Sequence, residues 1–277
     1  MGTSQSSNGP GSKLPIVPPW VPDPENVDDR DEKETNDNQQ ELSNQNLSTI
    51  EPLAPRGRFG SSRRSLNTYA KTGEKADMHR GIGQYIRSGY GGAKTATRRF
   101  GGTVSTAGTL YNALSQLDSN RSKTPDDIID YNSLVGCSAK EIIDTIVEVV
   151  QPIDGTLDSE ARKRSINDSL SELLINNQDT DLLNLKEEDI EFVMERFISN
   201  EVFKRFQLDQ GRTIQDNASS PTTAVSRLKE IREYIRETIS ASFRRLKNSG
   251  RTLNTRSVQN LVYATLNESF EVFEEYA

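Results

Sequence analysis

Few residues in this 277-residue chain are equipped for covalent chemistry. The clearest is Gly2. A small residue after Met1 permits removal of the initiator methionine and leaves Gly2 as a free α-amine. An α-amine with a pKa of about 8 keeps a neutral, nucleophilic fraction at cellular pH. Gly9-Pro10-Gly11 and Pro18-Pro19-Trp20 follow it. Pro lacks an N–H and Gly is costly to order, so this leader is expected to stay open and accessible to another protein. Trp20 is the one aromatic residue in it, a short docking element or a solvated ring.

The remaining candidates are poorer. His79 and Cys137 are the only residues of their types. A zinc site takes four protein ligands, or three and a water, and no such spacing surrounds either residue. One cysteine permits no internal disulfide. Ser88-Gly89-Tyr90-Gly91-Gly92-Ala93-Lys94-Thr95 has a faint likeness to a phosphate loop, but Ser88 and Ala93 stand where that loop needs glycine. The acidic runs Glu187-Glu188-Asp189 and Glu274-Glu275 read as solvated faces or helix-start charges. We therefore expect no metal, no cofactor and no catalytic activity.

Binding chemistry is better represented. Residues 56–123 carry thirteen Lys/Arg against three Asp/Glu, whereas residues 1–55 carry three against ten and residues 124–277 eighteen against twenty-eight. The basic middle includes Arg63, Arg64, Arg87, Lys94, Arg98 and Arg99, interleaved with Tyr69, Tyr85, Tyr90, Phe100 and Tyr111. Cations with aromatic neighbours can hold phosphates and stack bases. They serve equally to contact an acidic protein partner or this chain's own acidic half.

These side chains need elements to hold them. The chain is only 32% hydrophobic and 6% aromatic, with a mean hydropathy of −0.71. That is too polar for one globule of this length, and points to a disordered part beside a smaller folded one. Residues 1–55 read as a disordered leader and acidic spacer, with Asp28-Asp29-Arg30-Asp31-Glu32-Lys33-Glu34 followed by an Asn/Gln-rich run. In residues 56–123, a basic Gly/Ala-rich segment, helices are expected near 62–71, 76–88 and 93–117.

Residues 124–277 form an α-helical bundle domain by their periodicity. Ser138-Ala139-Lys140-Glu141 is a capping box ahead of Ile142, Ile143, Ile146, Val149 and Val150, and Pro152 ends that helix. Asp158 can cap a second helix. A third runs from about Lys186 to Phe206. Ser220-Pro221 starts a fourth that reaches Gly250, and Thr255 opens a fifth. The fold class is mainly α: a C-terminal helical bundle, a helical basic segment and a long disordered N-terminal tail. No stretch is apolar enough for a membrane span and no signal peptide is visible, so a cytoplasmic location is expected. Gly2 with Ser6 also fits a myristoylation pattern, but the basic cluster that would supply a second membrane signal lies far away.

Two stretches resemble a known family. Met1-Gly2-Thr3-Ser4, Gly9-Pro10-Gly11 and Val17-Pro18-Pro19-Trp20 resemble the leader of the QatB family, from the bacterial Qat anti-phage defence system. Tyr85, Ser88, Gly91-Gly92-Ala93-Lys94-Thr95-Ala96 and Arg98-Arg99 resemble its glycine–alanine–basic stretch, and the C-terminal half is similar in helical layout. The spacer is richer in Asn, Gln and Asp than in Pro, a departure from the family pattern. The resemblance implies an operon shared with a P-loop ATPase, a QueC-like enzyme and a TatD-like nuclease. It implies a non-enzymatic subunit whose Gly2 is joined by an amide to a 7-deazaguanine made by the QueC-like partner. Thr3 and Ser4 would be read by that enzyme, and Gly9, Pro10, Gly11 and Trp20 would help the tail thread into its site. The helical body would bind the ATPase. Two other readings stand beside it: a nucleic-acid-binding module acting through residues 56–123, and a structural scaffold.

Overall fold

The computed structural model describes residues 57–117, 127–152, 156–250, 254 and 257–277. The leader residues Gly2, Thr3, Ser4, Gly9, Pro10, Gly11 and Trp20, and also Thr255, lie outside the described residues. The described chain is mainly α and contains no strand. Its helices are α1 (Gly60–Thr72), α2 (Lys75–Gln84), α3 (Ala93–Arg99), α4 (Gly101–Gln116), α5 (Tyr131–Leu134), α6 (Ala139–Val150), α7 (Leu157–Asn176), α8 (Glu187–Asn217), α9 (Pro221–Asn248) and α10 (Val258–Glu274), with a π-helical turn at Tyr85–Tyr90.

Local chemistry fixes many of the ends. Ser138 and Glu141 form the expected reciprocal box: Glu141 N–H donates to Ser138 Oγ at 3.4 Å, and Ser138 N–H donates to Glu141 Oε2 at 2.7 Å. Ser220 Oγ accepts from Thr223 N–H at 3.1 Å, with Pro221 opening α9. α7 departs from expectation. Thr156 is its cap, accepting from Ser159 N–H at 3.1 Å, and Asp158 sits inside the first turn. Asp158 instead spends its carboxylate on Arg205.

Two other helices depart as well. The single helix expected over 93–117 is broken at Phe100, whose ψ is 15°. Two glycines follow Phe100, and its buried ring packs on Phe270 at 5.3 Å, which holds the chain in the bend. α8 runs eleven residues beyond Phe206. The polar appearance of that extension hides Gln210, Gly211 and Ile214, all buried.

At 31 residues, α8 is about 47 Å long. α7, α9, α1 and α4 all pack against it, and α10 crosses α9, α2, α3 and α4 on the other side. One hydrophobic core results, running from Phe59 through Leu66, Leu110, Phe197, Phe206 and Ile235 to Phe273. Both the basic segment and the acidic C-terminal stretch contribute to it.

The tightest backbone approach is at Gly83 in α2. A Cβ there would lie 2.6 Å from the carbonyl oxygen of Phe273 and 2.9 Å from the amide nitrogen of Ala277. Neither is the end of a flexible side chain, so a methyl group must push α2 off the C-terminus. Gly83→Ala is expected to lose about 1–3 kcal/mol of stability through overpacking, measured by urea unfolding with an unchanged slope.

Candidate functional site

The π-helical turn is the first device that shapes a site. In an α-helix, residues five apart lie about 140° apart around the axis. The wider π turn puts Tyr85 and Tyr90 on one side, with their hydroxyls 3.3 Å apart. Both hydroxyls donate to Asp209 Oδ2 of α8, at 2.8 and 3.0 Å. Burial, reinforced by the Asp209 charge, holds both phenols above their ordinary pKa. Arg205, one turn before Asp209, donates from Nε to Tyr90 Oη at 3.2 Å and pairs through Nη1 with Asp158 Oδ1 at 2.7 Å. The basic segment is thereby tied to α8 and α7 by a polar chain.

A cleft opens beside this chain, between the α3–α4 bend, α7 and α8. Its walls include Arg99, Gly102, Thr103, Asp158, Arg162, Glu201, Lys204 and Arg205, with Tyr90 and Phe100 behind them. Lys204 is paired with Asp168 at 2.7 Å. Arg99 and Arg162 make no ion pair among the described residues; Arg99 lies over the Tyr90 ring, 5.8 Å from its centroid. Glu201 is 8% exposed. Thr103 Oγ1 donates to its Oε2 at 3.1 Å, whereas Oε1 has no hydrogen-bond partner. Burial raises the Glu201 carboxyl above its ordinary range, opposed by Ser165, Thr103, Arg162 and Lys204.

Of the cations expected to bind a partner, Arg63, Arg64, Arg87, Lys94, Arg98 and Arg99 are all exposed. None forms an ion pair among the described residues. The structure does not gather them into one place. Arg63 and Arg64 of α1 face Arg212 and Asp216 of α8 across a groove that also includes Asp209, and only Arg99 reaches the cleft. Arg162, Lys204 and Arg205 come from helices α7 and α8, and nothing in the basic run announces them.

The interleaved aromatics have gone the other way. Tyr69, Tyr85, Tyr90 and Phe100 are buried, and Tyr111 is partly buried against the core. They are packing residues, so the base-stacking expectation finds no exposed ring among them. His79 is half-buried and stacks on Tyr234 at 4.4 Å, and burial lowers its pKa. Cys137 is half-buried, and its thiol lies 3.4 Å from the Ser133 carbonyl oxygen. Among the described residues no group of three or more His, Cys, Asp or Glu could hold a metal ion. No described helix is long and apolar enough to cross a membrane.

The state of Glu201 has a measurable signature. A carboxyl whose pKa is raised on folding costs stability once the pH exceeds its unfolded value, and this cost is absent when both states are protonated. Glu201→Gln, which keeps the shape and removes the charge, is expected to raise Tm at pH 8. The gain should shrink to nothing as the pH falls below about 4, read by thermal melts across that range.

No curated protein and no solved structure matches the chain. Residues 91–273 match the family described as QatB, Qat anti-phage system associated protein QatB. That span covers well over half of the sequence and takes in the α3–α4 bend, the cleft apart from Tyr90 and nearly all of α10. The chain therefore belongs to the QatB family and is a component of the Qat anti-phage system.

Proposed function

We propose that this chain is a non-catalytic subunit of the Qat system with two working parts: an N-terminal glycine that a partner enzyme modifies, and a helical body that docks other components. The observation that carries the docking half is the state of the basic side chains. Arg63, Arg64, Arg87, Lys94, Arg98 and Arg99 are exposed and unpaired among the described residues, while the apolar and aromatic residues between them are buried. Most cations of α8 and α9, in contrast, are committed to carboxylates within the fold, such as Arg205, Arg236, Arg244 and Lys247. Uncommitted cations at several places on a rigid scaffold suit acidic groups on a partner, and the P-loop ATPase of the same operon is our assignment for it.

The modification half rests on the leader. Gly2, freed by loss of Met1, supplies the amine that attacks a 7-deazaguanine carboxyl carbon activated by ATP as its adenylate on the QueC-like enzyme; the amide C–N bond forms as the C–O bond to AMP breaks and the amine gives up a proton. Thr3 and Ser4 give that enzyme small polar side chains to read, and Gly9, Pro10, Gly11 and Trp20 shape the segment that enters its site. The TatD-like nuclease of the same operon is a further candidate partner.

Nucleic-acid binding through residues 56–123 is the second reading, and it draws on the same free cations. With Tyr69, Tyr85, Tyr90 and Phe100 in the core, this reading is left with phosphate contacts rather than base stacking.

Intact-protein mass spectrometry tests the first half. Gly2 is expected to carry added mass only when the QueC-like neighbour is co-expressed, and Gly2→Pro is expected to remove both the added mass and phage protection. Full protection by Gly2→Pro overturns the reading. Arg98→Glu combined with Arg99→Glu separates the two uses of the body. Loss of ATPase co-purification without any DNA affinity supports docking, while DNA binding that weakens steeply with salt and disappears in the variant supports the second reading.

A further inference from the structure

We propose that the cleft between the α3–α4 bend, α7 and α8 is a binding site for a phosphate group, gripped by Arg99 and Arg162 and capped from within by the carboxyl group of Glu201. Four features meet there. Arg99 and Arg162 are two guanidinium groups with no ion pair among the described residues, brought to one cleft from positions 63 residues apart in the chain. The other two cations of the wall are already engaged, Lys204 with Asp168 and Arg205 with Asp158. A ligand oxyanion therefore meets two free forks, the groups best matched to phosphate.

The second feature is the start of α4. Gly102 and Thr103 belong to its first turn and line the cleft. No side chain caps this 16-residue helix. Its first N–H groups and the positive end of its dipole thus add to the field on that side of the cleft. Gly102 matters for a third reason. A Cβ there would lie 2.7 Å from Arg162 Nη2, so the absence of a side chain lets the guanidinium lie against the helix start.

Glu201 is the fourth feature and sets the pH behaviour. Its Oε1 is buried without a hydrogen-bond partner. Ser165, whose hydroxyl neighbours the carboxyl, donates instead to the Ala161 carbonyl at 3.0 Å. An ionised Glu201 would repel a phosphate. A protonated Glu201 would donate its O–H to a phosphate oxygen and satisfy the orphan atom. The groups facing it are Thr103 of α4, Arg162 and Ser165 of α7 and Lys204 of α8. Burial favours the protonated form against these partners, and a bound phosphate that accepts its hydrogen favours it further. Binding should therefore take up a proton and weaken as the pH rises.

The probe is inorganic phosphate on the full chain at about pH 6, against chloride at matched ionic strength, read by thermal shift and calorimetry. Phosphate is expected to raise Tm, and affinity is expected to fall at pH 8. AMP in place of phosphate identifies the source: a larger shift with AMP assigns the group to a nucleotide, an equal or smaller one to free phosphate. Arg99→Ala with Arg162→Ala should weaken binding by about tenfold or more. Arg164→Ala, which removes an exposed charge from the same helix, should leave binding unchanged, and circular dichroism verifies that each variant keeps its helices. Glu201→Gln should flatten the pH dependence relative to the parent chain, leaving only the part set by the second ionisation of phosphate itself. A phosphate shift no larger than that of chloride overturns the site. Equal weakening by Arg164→Ala, or an undiminished pH dependence in Glu201→Gln, overturns the assignment to these residues.

Discussion

The structure depends on burying α8. A surface helix keeps its apolar residues to one stripe, whereas a helix that is apolar all round has to be enclosed. α8 is polar at both ends, but from Val193 to Phe203 its buried residues, Val193, Met194, Phe197, Ile198, Val202 and Phe203 among them, fall on every side of the axis. No single neighbour can cover such a surface. α7, α9, α1 and α4 each take a side of it. The basic segment is drawn into the fold despite its many charges: α1 and α4 both pack on α8, and Leu66, Tyr69 and Leu110 join the common core. Its cations stay in solvent, while the carboxylates that face the segment accept from its hydroxyls, Asp209 from Tyr85 and Tyr90 and Glu201 from Thr103.

Enclosure brings polar groups inside, and their partners decide where the functional surfaces fall. Asp209 satisfies two buried phenols at once, and Arg205 closes the chain to Asp158. Removing Asp209 would leave two buried hydroxyls without their acceptor, which costs more than the hydrogen bonds themselves contribute. This makes the π turn a joint of fixed geometry. The groove with Arg63 and Arg64 lies on the Asp209 side of it, and the cleft with Arg99 on the Tyr90 and Arg205 side.

Much of this was written in local sequence. Capping at Ser138 and Ser220, the proline stop after α6 and the apolar spacing of α9 and α10 each depend on residues within a turn or two of one another. What was not legible depends on distance. Asp158 is a good cap by type, but Thr156 is two residues earlier and Arg205 competes for the carboxylate. The end of α8 is polar in sequence, and only the packing of the other helices makes Gln210 and Gly211 interior residues. The bend at Phe100 is set by Phe270, far along the chain. The cleft is the extreme case: Arg99 was visible as part of a basic run, but Arg162, Lys204 and Glu201 acquire meaning only through helix packing.

The same distinction bears on how charge is used. Net charge, −7 for the chain, says little about partners, because charges differ in whether the fold has already spent them. In α7, α8 and α9, Arg196, Lys204, Arg205, Arg236 and Arg244 face Glu172, Asp168, Asp158 and Glu195. Pairs of this kind hold helices in register and offer a ligand little, since it would have to displace a partner already in place. Arg63, Arg64, Arg87, Lys94, Arg98 and Arg99 have no such internal competitor among the described residues. Their field extends into solvent over about 8–10 Å at physiological salt, enough to steer an acidic surface before contact. Arg99 is exposed like the others and also lines the cleft beside Arg162. On the two proposals above it is the one residue shared, so neutralising it for a partner would weaken the field available to a ligand in the cleft.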